Sequence, residues 1–146
     1  MDLPVDTLLQ FIQDYLWWII FTLVIAAVLP IIFFCHTLSK ALSRCAPERR
    51  DMTPLKVWLL LIPGFNIIWN FYAVSAIATS LKKEFAARSL QPDKDYGRDI
   101  GLAMAVFTAA SMLPLLFLSL ATSLIAAICL SLYWIKIARL SQKLAI

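Results

Sequence analysis

Apolar residues fall along this chain in long uncharged runs separated by short clusters of charge. Leu16 to Cys35 is twenty residues without a charge, and at about 1.5 Å per residue it predicts a helix that crosses a hydrocarbon core of about 30 Å. Trp17 and Trp18 stand at its start as an interfacial aromatic pair, and Asp14 marks the water side. Pro30 predicts a kink about one turn before the end, where a neighbouring helix can satisfy the freed carbonyl. His36, Lys40 and Arg44 follow at every fourth position, so the helix is predicted to continue with one basic face until Pro47 stops it.

From Val57 to Ala78 the chain is again apolar, but Pro63 and Gly64 break the run after six residues. This segment reads as one kinked span or as a re-entrant element. Ile100 to Ile135 is thirty-six uncharged residues, too long for one crossing and suited to two short ones turning at Pro114. Spans are therefore predicted near 16–35, 57–78 (broken), 100–113 and 117–137, with Tyr133 and Trp134 as a second aromatic anchor. The predicted fold is all-α: a polytopic integral membrane protein of three to four transmembrane helices, residues 1–146 forming a single membrane domain.

Composition strengthens this picture. Of the 146 residues, 62% are hydrophobic and 15% charged, against about 45–50% and 25% in soluble domains. So short a chain cannot bury that much apolar surface in a core of its own, which excludes an ordinary soluble enzyme. Thirteen Lys and Arg against nine Asp and Glu give +4, which matters as a topology signal and not as a nucleic-acid footprint. Lys40, Arg44, Arg49, Arg50 and Lys56 lie in one loop, Lys82, Lys83, Arg88, Lys94 and Arg98 in the next, and Lys136, Arg139 and Lys143 at the C-terminal end. Four plain spans with the N-terminus inside place eight of the thirteen in the cytoplasm. If 57–78 dips in and returns, all thirteen are cytoplasmic, the N-terminus is outside and the C-terminus inside. Both arrangements stand at this point.

Small residues suggest how the helices meet. Gly101, Ala105 and Ala109 recur at every fourth position of the third span, and Ser119, Ser123, Ala127 and Ser131 do so on the fourth. Such ridges allow close backbone approach, so the two helices are expected to pack through them as an antiparallel hairpin. A polar pore face built on Ser119, Thr122, Ser123 and Ser131 is the functional counterpart, but hydroxyls in membrane helices are readily satisfied by the i−4 carbonyl. Asn66 and Asn70 share one face of the broken segment, and amides at that depth need partners. They either pin the break by bonding its carbonyls or line a water-filled path or ligand site, with Ser75 and Thr79 beside them and Glu84 on the face of Asn66. The stripes His36/Lys40/Arg44 and Lys136/Arg139/Lys143 read as topology determinants that can also meet anionic lipid head groups. The stretch from Asp93 to Gly101 reads as a turn with Asp99 at the positive end of the third helix.

Catalytic chemistry is not apparent. The only histidine, His36, has no carboxylate near it in sequence, the three glycines form no phosphate loop, and no acidic residue lies within a span as a proton relay. No metal or cofactor is expected. Cys35, Cys45 and Cys129 show neither disulfide nor metal spacing, and the acidic N-terminus lacks the basic region of a signal peptide, so the first segment is expected to be retained.

The run from Val57 to Phe71, with Trp58-Leu59-Leu60-Leu61-Ile62-Pro63, then Ile77 to Phe85, Gly101-Leu102-Ala103 and Tyr133 to Ile137, resembles a family of small multi-pass bacterial inner-membrane proteins. Gly64 stands where that signature carries a bulkier apolar residue, a change expected to loosen the break. The resemblance implies a bacterial inner-membrane location and a shared fold, and it carries no activity to transfer. The expected function is non-enzymatic: assembly with itself as a homo-oligomer, or with a membrane-protein partner, as a scaffold or regulatory subunit. The alternatives are a homo-oligomeric ion channel or permeabilising effector, and a protein that binds anionic lipid in the bilayer.

Overall fold

The computed structural model describes residues 5–113 and 116–145, and among them all regular structure is helical. Helix α1 spans Val5–Ser43, α2 Phe65–Ala87, α3 Arg98–Ala110 and α4 Leu116–Lys143, with 3-10 helices at Pro47–Arg49 and Pro54–Leu61. The turn expected at Pro114 lies outside the described residues.

The chain divides into two compact units, residues 1–33 and 34–146. In the first, every described side chain from Leu9 to Phe33 is exposed, including Trp17 and Trp18. Helix α1 runs through Pro30 without interruption. The stretches Leu9–Ser43 and Phe117–Lys143 are long and apolar enough to cross a membrane, and in an apolar window of 18 residues within each only 11% are buried. The core helix of a soluble domain would be mostly covered.

In the second unit, prolines dictate the path from the end of α1 to α2. A residue before proline is pushed out of the helical region by the ring, and Ala46, Thr53 and Ile62 are accordingly all extended, at ψ 142, 143 and 113. Between these breaks only short 3-10 pieces fit. Gly64 then takes φ +81, a conformation that favours glycine, and reverses the chain into α2, where the Asn66 N–H donates to the Ile62 carbonyl at 3.0 Å. The glycine thus shapes the break that its small size was expected to loosen.

The 3-10 helix 54–61 runs back along α2. The Asp51 N–H donates to the Ser80 hydroxyl at 2.9 Å, and the Trp69 indole N–H donates to the Lys56 carbonyl at 3.0 Å. Val57 and Leu60 are buried beneath it. Residues 51–80 therefore form a hairpin whose two ends lie together and whose tip is Pro63-Gly64.

One core joins the unit. Phe34, Leu38, Leu42 and Cys45 from the end of α1, Val74, Ile77, Leu81 and Phe85 from α2, Met104 from α3, and Tyr133, Ile137 and Leu140 from α4 are all buried in it. The first, second and last of these sets recur every three or four positions, one face per helix. Helix α3 begins two residues before the expected span and ends three residues short of it, while α4 continues six residues past its expected end. The two run antiparallel: the Ser119 hydroxyl donates to the Ser111 carbonyl at one end, and Gly97 and Gly101 lie against Tyr133 at the other.

Candidate functional site

Charged side chains gather where the end of α1, the base of the hairpin, the end of α2 and the end of α4 meet. Their centre is Glu84, with only 2% of its side chain exposed. Its Oε2 accepts the Ala46 N–H at 3.0 Å and the Arg49 guanidinium at 3.2 Å, and its Oε1 accepts Arg88 Nε at 2.7 Å. Burial pushes this carboxyl up, but the Ala46 N–H and the guanidiniums of Arg88 and Arg49 outweigh burial and hold it below the usual carboxylate value. A charged carboxylate is thereby kept inside the core.

The network extends from there. Arg88 also donates to the Leu144 carbonyl at 2.9 Å and to the Arg44 carbonyl at 3.1 Å, while Arg44 donates to the Ser141 carbonyl at 2.5 Å and to its hydroxyl at 2.8 Å. Arg50 closes the end of α1 by donating to the carbonyls of Ser43 and Cys45. Lys83 pairs with Asp51, and Lys136 pairs with Asp93 at 3.1 Å and with Asp95. Burial raises the Asp95 carboxyl, yet Lys136 and the N–H groups of Asp99 and Gly97 hold it low. It is thus Asp95 that takes the free N–H of Asp99 in the first turn of α3, and Gly97, at φ +82, that precedes the helix.

The basic stripes are divided by this network. His36 and Lys40 are exposed and Arg44 is engaged; Lys136 is engaged and Arg139 and Lys143 are exposed. The amide face is divided as well. The Ser75 hydroxyl donates to the Phe71 carbonyl and Thr79 to the Ser75 carbonyl, each at 2.9 Å and four residues back. Asn66 and Asn70 are half-buried, and Asn66 Oδ1 is buried with no hydrogen-bond partner.

The small-residue ridges are placed differently from one another. Gly101 and Ala105 are buried and Ala109 half-buried, and a Cβ on Gly101 would come within 2.5 Å of Val74 and 2.9 Å of Tyr133. On α4, Ser119 is half-buried while Ser123, Ala127 and Ser131 are exposed. The face that α4 turns inward is instead Thr122, Tyr133, Ile137 and Leu140. The reason is geometric: four residues advance about 400° around a helix, so an every-fourth-residue ridge drifts by about 40° per step. Starting beside α3 at Ser119, it has wound to the outer side by Ser131.

In the sequence, Glu84 stands out only as a neighbour of Asn66 on a helical face. One local signal, Arg88 four residues on, was available. Its other partners, 35 and 38 positions away at Arg49 and Ala46, were not. Among the described residues no cluster of His, Cys, Asp or Glu is arranged to hold a metal ion. Compared with family models, with curated proteins and with solved structures, the chain matches none.

Proposed function

We propose that the chain is a multi-pass integral membrane protein of a bacterial inner membrane that works by assembling with a second copy of itself, as a scaffold or regulatory subunit. In this reading α1, α3 and α4 cross the bilayer and the hairpin 51–80 enters and leaves from the cytoplasmic side. Support for the topology comes from the charged layer, whose bonds join all three basic segments, so that they share one side as the positive-inside rule asks. The 3-10 limb, eight residues at about 2 Å each, reaches roughly half-way across a hydrocarbon core of about 30 Å.

The observation that carries assembly is the exposed ridge Ser123/Ala127/Ser131 on α4, left unused by the fold. Its Ser131 hydroxyl donates to the Ala127 carbonyl at 2.9 Å, so the ridge offers close backbone approach and not an unmet polar group. The test is the oligomeric state of the purified protein in mild detergent. Wild type is expected as a dimer or higher oligomer and Ala127→Leu as a smaller species; a wild-type monomer, or an Ala127→Leu oligomer of unchanged size, contradicts assembly through this face.

A channel is the second reading, favoured by one observation: the unpartnered Asn66 Oδ1 beside the half-buried Asn70. Planar-bilayer recording separates the two. A current altered by Asn70→Leu supports a pore, and no conductance at any voltage or pH removes it.

A further inference from the structure

Alongside α4 lies an open groove of about 460 Å3, walled by Ile100, Leu132, Ile135, Leu140, Arg139 and Lys143. Its character changes along its length. Leu132 and Ile135 make one end apolar, and Arg139 and Lys143 follow one and two turns later on the same helix face, so an apolar floor runs into a cationic mouth over about 16 Å. Lys136 and Asp93 also border it, but they pair with each other at 3.1 Å. Arg139 and Lys143 are exposed, and among the described residues neither makes an ion pair. The groove therefore carries two cations without an ion-pair partner, one turn and more beyond the Lys136 that Asp93 and Asp95 share, at the end of a helix long and apolar enough to cross a bilayer.

We propose that this groove holds an anionic glycerophospholipid, its phosphate on Arg139 and Lys143 and the start of its acyl chain on Leu132 and Ile135. The match is one of charge and of depth: a lipid carries its phosphate at the edge of the hydrocarbon and its chain below it, in the order that this helix face presents cation and apolar residue. Arginine's planar fork suits phosphate oxygens, and lysine adds a point charge. The site is narrower than net charge suggests, because Arg44 and Arg88 at the same end of the fold are committed to Ser141, Glu84 and Leu144. This inference rests on the membrane reading above and is independent of assembly.

The experiment reconstitutes the full chain in vesicles of phosphatidylcholine mixed with phosphatidylglycerol, then counts retained lipid by native mass spectrometry after mild extraction. Wild type is expected to retain phosphatidylglycerol in excess of its share of the vesicle. R139Q/K143Q is expected to lower that retention about thirtyfold while leaving the thermal transition in place, since both side chains are exposed. K82Q/K94Q, which removes the same charge at two exposed positions outside the basic stripes, is expected to retain the lipid. Equal retention by R139Q/K143Q and wild type, or an equal loss from K82Q/K94Q, overturns the site. Wild type that inserts without preferring phosphatidylglycerol overturns the site alone, whereas wild type that does not enter the vesicles overturns the membrane reading and the site together.

Discussion

The backbone N–H of Asp51 donates a 2.9 Å hydrogen bond to the hydroxyl of Ser80, twenty-nine positions further along the chain. Ser80 is fully buried and its hydroxyl donates in turn to the Ala76 carbonyl at 2.6 Å. One hydroxyl thus ties the entry of the hairpin to its exit. Ser80→Ala removes the acceptor and leaves both ends less firmly joined. The expected cost is about 1–2 kcal/mol in a reversible unfolding measurement, and a variant as stable as wild type would show that water replaces the bond.

Gly64 and Gly101 are both needed, for different reasons. No atom lies within 4 Å of a Cβ built on Gly64, but its φ is +81. Gly64→Ala should therefore cost about 1–2 kcal/mol through backbone strain alone, and Gly64→Ser about the same, because size is irrelevant there.

At Gly101 the conflict is steric. Its added Cβ would meet Val74 at 2.5 Å and Tyr133 at 2.9 Å, and a β-branched valine cannot turn its methyls away freely. Gly101→Ala should cost about 1–3 kcal/mol, and Val74→Ala in the same chain should recover part of it. A double variant no better than the single one would contradict close packing of α2, α3 and α4 at this point.

Glu84 predicts a pH dependence with a definite sign. Its carboxyl is held below its ordinary value by Ala46, Arg88 and Arg49, so the unfolded state takes up the proton first as pH falls. The stabilisation is complete above that value and is lost as pH drops through the folded one. The thermal midpoint should fall below about pH 4–5, and Glu84→Gln should be less stable at pH 7 and show a shallower acid limb. Asp95 is shifted in the same direction, so the limb should shrink and not vanish. Parallel profiles for wild type and Glu84→Gln would show that folding leaves the Glu84 carboxyl at its ordinary value, and would contradict the bonds assigned to it.

How much of this was legible in the sequence follows from how local each cause is. The helices around 16–35 and 117–137 could be read because uninterrupted apolar runs need no partner to identify them. Pro63 and Gly64 announced a break, since both act through their own backbone. The 3-10 helix 54–61 could not be read, because its form is imposed by prolines at either end and by packing of Val57 and Leu60 on α2. The ridge on α4 was visible as a spacing, but which side of it faces α3 depends on a drift of about 40° per step. Glu84 was unreadable as a centre because Arg49 and Ala46 reach it only once the hairpin has folded.

Cysteine labelling from the two sides of the membrane decides whether the hairpin enters and leaves on one face. The native thiols allow it: Cys35 and Cys45 are buried, and Cys45 is pushed up to about 11 by burial and by Glu84, against Arg50 and Arg88, so Cys129→Ser supplies a quiet background. Glu48→Cys before the hairpin and Gln91→Cys after it, both at exposed positions, are treated with an impermeant maleimide in intact cells and in inverted vesicles. Both are expected to react in inverted vesicles and neither in intact cells. Reaction of Gln91→Cys in intact cells while Glu48→Cys reacts only in inverted vesicles would mean that the segment crosses the membrane outright.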